Sequence, residues 1–243
     1  MIAIDAVRLA IVEILRPSAQ VAKLEAAEAA TFPTIAAHRV YDSRSIQLQD
    51  LDPNAAMTPT VAVYTDRGRW TRNGEGASYD DAVVTTAIDI VSELAVRAAD
   101  EDGDFADAAP SDPVARLRLG ALVSQIVFAL TASDDGNRLR RFAIIDAIES
   151  HSFDIPSLGL RYLRTSTRLD IRLMCDMRTE AGALPQPMRS FFDGLPAQSY
   201  ARQSLAELEG AFDPQARAPL SGIVMAETDV TADPYASTGS TDD

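Results

Sequence analysis

The chain has one cysteine, Cys175, and two histidines, His38 and His151. A single thiol cannot close a disulfide within the chain, and paired-cysteine metal and redox motifs are absent. The sequence has no phosphate-cradling glycine loop followed by lysine and no GxSxG elbow. The two histidines stand far apart, and neither has a second ligand at metal spacing. Ser150, Ser152 and Asp154 flank His151, but adjacency along a chain does not bring a base and a nucleophile together in space. No catalytic residues, metal or cofactor are therefore expected, and a structural or interaction role follows by elimination. Lysine is represented only by Lys23, a bias towards arginine with no functional weight. Basic charge is also scarce, with 22 basic against 36 acidic residues and a net charge of −14. Such a surface repels phosphates, so general nucleic-acid binding is not expected. Long apolar runs are missing too. Asp5, Arg8 and Glu13 interrupt the start of the chain, so neither a signal peptide nor a membrane span is expected, and the protein should be soluble and made in a cytoplasm.

What is present begins with alternation. From Arg161 to Met177, Leu163, Thr165, Thr167, Leu169, Ile171, Leu173, Cys175 and Met177 fall on one side, and Arg164, Ser166, Arg168, Asp170, Arg172, Met174 and Asp176 on the other. A period of two is that of a strand with one buried and one hydrated face. A second such run, Val84 to Val96, places Val84, Thr86, Ile88, Ile90, Leu94 and Val96 opposite Thr85, Asp89 and Glu93. The two runs predict the centre of an antiparallel sheet, with Cys175 on the apolar side as a small hydrophobe. Thr60 to Thr65, introduced by Pro59, is a third strand by its β-branched and aromatic content, and Arg39 to Ser43 a short extended segment. Asp66 to Arg69 and Asn73 to Gly76 are turn-prone, which predicts a hairpin or open loop up to Ser78.

Helical spacing marks the covering layer. Ile4, Val7, Ile11, Ile14 and Leu15 predict an amphipathic first helix that Pro17 stops, and Ala19 to Ala30 a second short one. Val114 to Thr131 is the clearest helix, with Asp112 as N-cap, Pro113 in its first turn, and Leu119, Leu122, Val123, Ile126, Val127 and Leu130 as its apolar side. Leu139, Phe142, Ile145 and Ile148 predict a further helix from Asn137 to about Ser150, after which Phe153 to Gly159 turns the chain. The fold class expected is α+β, a mainly antiparallel β-sheet covered by α-helices, with a C-terminal extension. At 243 residues and 47% hydrophobic content, one domain over residues 1–178 is affordable. Residues 179–231, cut by prolines, predict an extension with one helix from Ser199 to Phe212, lying over the domain or over a neighbouring chain. Residues 232–243 form an acidic tail, flexible unless a partner holds it.

Two charge clusters interrupt this framework. Between Ala98 and Pro113 stand Asp100, Glu101, Asp102, Asp104, Asp107 and Asp112 without a basic residue. They lack the glycine and terminal glutamate of a calcium-binding loop, so a solvated loop is expected. Arg138, Arg140 and Arg141 form a basic cluster that would suit either a hydrated helix face or a grip on an acidic neighbouring subunit.

The order of these elements resembles the tail terminator proteins of long-tailed bacteriophages, the minor tail protein U-like family. The likeness lies in the first helix, Arg39-Val40-Tyr41-Asp42-Ser43, the run Pro59-Thr60-Val61-Ala62-Val63-Tyr64-Thr65-Asp66, a strand, two helices and a final long strand. It covers about residues 1–178, and the extension departs from the smallest members. The resemblance implies a virion protein of the head-proximal end of the tail, assembled in the host cytoplasm. As a hexameric ring it would cap the tail tube, stop its polymerisation and present a surface to the head-side connector or stopper protein. DNA would pass through the lumen without specific binding. On this view Asp89, Glu93, Asp100, Glu101, Asp102, Asp104 and Asp107 are candidates for a channel wall or rim. Arg138, Arg140, Arg141, Phe191 and Phe192 are candidates for subunit contacts. Other readings are another head-tail joining protein, such as a stopper or tail completion protein, and a soluble α+β enzyme or ligand-binding domain.

Overall fold

The structure is a computed structural model and describes residues 2–72, 74–76, 82–100, 103–109, 112–155, 160–174, 184–186 and 188–212. Its centre is the expected antiparallel pair. Strand β3 (Val83–Asp100) runs beside β6 (Leu160–Met174), with Ile88 opposite Leu169 and Ile90 opposite Thr167. Around them the sheet is completed by β1 (Val40–Asp42), β2 (Thr58–Thr71), β4 (Gly103–Ala108) and β5 (Ala143–Ile155), in the order β1-β2-β3-β6-β5, with β4 also on β3. All pairings are antiparallel except β1 with β2, which makes the sheet mixed. The fold class is α+β.

One face of the sheet carries the helices. Val61, Val63, Ile88, Ile90, Leu94, Leu163, Leu169 and Ile171 point into a core closed by α1 (Ile2–Leu15) and α3 (Pro113–Thr131). Asp112 caps α3 as its residue type dictates, its carboxylate accepting from the amides of Val114 and Ala115 at 2.9 and 2.8 Å. Helix α1 is buried on both sides. Its inner face meets β1 and β2, and its outer face is covered by α5 (Met188–Asp193) and α6 (Tyr200–Phe212) of the extension. Even Glu13 is only 8% exposed. Its carboxylate accepts from the amide and hydroxyl of Ser18, in α2 (Ser18–Glu25), at 3.0 and 2.7 Å, and from Ser199 Oγ at 2.9 Å. A polar group so enclosed requires such partners, and the extension supplies one from 186 residues away.

Four expectations need correction. The helix expected from Asn137 to Ser150 is only a turn, α4 (Asn137–Arg140), followed by β5. A β-bulge between Ile145 and Ala147 is the reason. It sets Ile145 opposite Ile171 and Ile148 opposite Leu169, so two side chains three apart share one face of a strand, as they would on a helix. The turn expected over Phe153 to Gly159 does not include Phe153 to Ile155, which belong to β5, and residues 156–159 lie outside the described residues.

The acidic stretch after Ala98 is part of a hairpin. β3 runs on to Asp100, and β4 returns with Ala98 opposite Phe105; Gly103, at φ +124°, takes a conformation open to glycine. Asp66 to Arg69 are not a turn either. They lie inside β2, which accommodates them by a bulge between Thr65 and Arg67 and continues to Thr71 before the hairpin. Cys175 and Met177 lie outside the described residues.

Candidate functional site

The uncovered face of the sheet holds an ion-pair network built on β6. Arg168 is its hub. Its guanidinium donates to Asp66 at 2.7 Å and lies 3.7 Å from Asp89 and 3.6 Å from Asp170. Arg164 donates to Glu93 at 2.5 Å, Arg172 to Asp146 at 2.9 Å, and Arg67 approaches Asp170 at 3.5 Å. Asp66 and Asp146 are the extra residues of two of the sheet's bulges, between Thr65 and Arg67 and between Ile145 and Ala147. Each presents its carboxylate to an arginine of the central strand.

This network corrects the expected channel wall. Glu93 is 3% exposed beneath Arg164 and cannot line a lumen as a free acid. Asp89 is half-buried, and its carboxyl is held above the usual range by burial, which outweighs the attraction of Arg168. Asp104 is exposed but paired with Arg97 across the β3–β4 hairpin. Asp107 stands on β4 opposite Val96. Asp100 ends β3, and Glu101 and Asp102 lie outside the described residues.

The candidate subunit contacts divide in the same way. Arg140 is committed to its own chain, donating to the carbonyls of Leu130 at 2.9 Å and Ser133 at 2.8 Å and to Asn137 at 2.6 Å. It closes the C-terminal end of α3, where unpaired carbonyls favour a cation. Close packing of this cap also fixes Gly136, because a Cβ there would stand 2.6 Å from the carbonyl of Ala129. Arg138 and Arg141 are exposed. Phe191 and Phe192 are both buried. Phe191 packs on Phe142 with ring centroids 5.8 Å apart, and Phe192 lies beneath Arg202 at 5.1 Å. These two rings anchor the extension to its own domain and present no free surface to a neighbour.

Sequence reading missed the outer side of α3. Val114, Leu117 and Phe128 are 65, 76 and 63% exposed, and with Ala121 and Ser124 they form a stripe at helical spacing whose one flanking charge is the exposed Arg118. By length and composition this helix, with a mean hydropathy of 1.5, would also suffice to cross a membrane, contrary to the expectation that no stretch comes near that length; its inner face packs on the sheet. The signal was available. Residues 119 to 130 contain no charge on any side, whereas a helix with one wet face needs charge on it.

Among the described residues no group of three or more His, Cys, Asp or Glu is placed to hold a metal ion. His151 is exposed beside Glu149, at 3.6 Å. Ser150, its neighbour, turns to the other face and meets the hydroxyl of Thr167 at 3.2 Å, so strand alternation separates this base from this nucleophile. His38 lines a cleft of about 490 Å³ with Arg16 and Tyr200. No protein-family model matches the chain, and no curated protein matches it.

Proposed function

We propose that the chain is a ring-forming structural subunit of a phage virion that caps the tail tube, ends its polymerisation and forms part of the head-tail connection. The observation that carries this reading is the outer stripe of α3. Large apolar side chains rarely stand together on the surface of a solitary protein, and a helix apolar on both sides calls for cover on both. A second copy of the chain is the simplest cover. If the contact is heterologous and the rotation closes, repetition gives a ring. Arg138 and Arg141, exposed at the far end of α3, would then meet an acidic neighbour, since the chain carries a net charge of −14. On this proposal the β3–β4 hairpin stands at the rim, with Asp107 and the Arg97-paired Asp104 on it. DNA would slide past them without adhering.

The test is size by light scattering or native mass spectrometry, followed by binding to purified tail tubes. A closed oligomer, six copies on the resemblance to tail terminators, is expected, and Leu117→Glu or Phe128→Glu should reduce it to monomers with unchanged circular dichroism. A monomer that ignores tube ends overturns the proposal. Binding to the head connector without binding to tubes favours a stopper or completion protein.

A further inference from the structure

The cleft beside His38 lies between the end of α1, the segment leading into and out of β1, and the start of α6. Most of its charges are paired. Asp42 accepts from Arg8 at 2.6 Å and from the Tyr200 hydroxyl at 3.1 Å. Asp50 takes both terminal nitrogens of Arg44 at 2.7 and 2.9 Å, and Asp52 holds Arg39 at 3.2 Å. Arg16 is the exception. Its Nε is shut off from solvent and has no hydrogen-bond partner. His38 is beside it, with the ring of Phe32 at 6.4 Å.

An unpaired guanidinium in a walled cleft is unexpected in a chain with 36 acidic residues available to neutralise it. Arg8 is shared by Asp42 and Asp5, Arg39 is held by Asp52 and Arg44 by Asp50, so the charges around the cleft balance overall and Arg16 is the one guanidinium among them without a carboxylate partner. One guanidinium takes one carboxylate, and a dianion would meet stronger repulsion from Asp42, Asp50 and Asp52 around the cleft. We propose that this cleft binds a carboxylate, with Arg16 as the paired charge and His38 as a second hydrogen-bond donor. The planar fork of arginine suits a carboxylate, and Val12, Tyr41 and Leu51 on the cleft wall give room for the organic body that carries it. The carboxylate comes from a free organic acid or from an aspartate or glutamate of the segment after residue 212. This inference is independent of the ring reading.

The two histidines of the chain make a direct test. Burial first, then Arg39 and Arg16, hold the His38 imidazole below its ordinary value, while Asp52 raises it. An anion on Arg16 therefore raises the His38 midpoint, and His151, exposed on β5, serves as the internal control. The imidazole resonances of the full chain, assigned with His151→Gln, are followed against pH with added acetate, inorganic phosphate or sodium chloride at equal ionic strength. Acetate should shift the His38 midpoint upward saturably, by about half a pH unit or more, and leave His151 in place. Arg16→Gln should abolish the shift with the amide spectrum otherwise unchanged, and Arg16→Lys should retain part of it. A full-length variant with Glu227→Gln, Asp229→Asn and Asp233→Asn identifies the source. A His38 midpoint lower in this variant than in the parent, without acetate, assigns the site to the chain's own carboxylates. Equal shifts with sodium chloride, a shift with phosphate alone, or an acetate shift that survives Arg16→Gln overturns the proposal. No shift in any arm does so as well.

Discussion

Arg168 donates to Asp66 at 2.7 Å across 102 residues of sequence, and it does so because Asp66 is the residue that a bulge in β2 pushes out of register. The same relation recurs between Arg172 and Asp146 on the other side of β6. The bulges are thus fixed by side chains as well as by backbone. Arg168→Met leaves Asp66, Asp89 and Asp170 facing one another without their shared counter-charge. Like charges at close range raise carboxyl pKa values, and an acid whose folded pKa is raised loses stability as pH rises through it. The variant should therefore be less stable than the parent at pH 7 and nearly equal to it at pH 3, by urea unfolding at both. Equal loss at both would show that the arginine acts through packing.

Asp89 offers the converse. Burial already lifts its carboxyl above the usual range, so its charge opposes folding at neutral pH. Asp89→Asn should hold or increase stability at pH 7, by less than about 1 kcal/mol because the site is partly solvated. A clear decrease would mean that pairing with Arg168 outweighs burial.

Two glycines of the α3 region should respond with opposite sign. At Gly136 a methyl group would meet the carbonyls of Ala129 and Leu130 at 2.6 and 2.8 Å, and Gly136→Ala should cost about 1–3 kcal/mol by overpacking. At Gly120, on the outer face of α3, nothing lies within 4 Å, and Gly120→Ala should stabilise by about 0.5–1 kcal/mol. Chemical denaturation of the two variants against the parent is sufficient.

The bond from Ser199 to Glu13 makes the extension part of the fold. Glu13→Ala strands the amide and hydroxyl of Ser18 and the hydroxyl of Ser199, and should cost about 2–3 kcal/mol. Phe191→Ala, which removes a buried ring beside Phe142, should cost about 3–5 kcal/mol. If either variant unfolds at the parent's denaturant midpoint, the extension is a loose attachment.

His38 sets the acid limb. Its folded pKa lies below the ordinary imidazole value of 6.5, so the unfolded chain takes up the proton first. Stability from this group is complete above that value and is lost as pH falls through it towards the folded pKa. His38→Gln should flatten the stability profile just below pH 6.5, where the parent declines.

Much of this fold was legible in the residues. Strict alternation placed β3 and β6 side by side, and Asp112-Pro113 marked the start of α3 within a residue. Failure came where geometry breaks a period. A single extra residue at Asp146 gave β5 the spacing of a helix, and Asp66-Arg67-Gly68-Arg69 had the composition of a turn while lying in a strand held by Arg168. The surface assignments failed for a related reason. Glu93 and Arg140 look like free charges in sequence, but their partners, Arg164 and the carbonyl of Leu130, lie 71 and 10 residues away. Periodicity reports which side faces the core. It does not report which charge finds a mate across the sheet.

The enclosure of α1 has a consequence for how the protein is made. The helix leaves the ribosome well before α5 and α6, the segments that shield its outer flank, and most of its side chains are apolar. Until they arrive, a nascent chain carries a greasy rod with half its coat missing, a natural substrate for chaperones. Maturation of this molecule thus waits on the docking of α5 and α6 against α1, and synthesis stalled before residue 188 would leave that helix ajar.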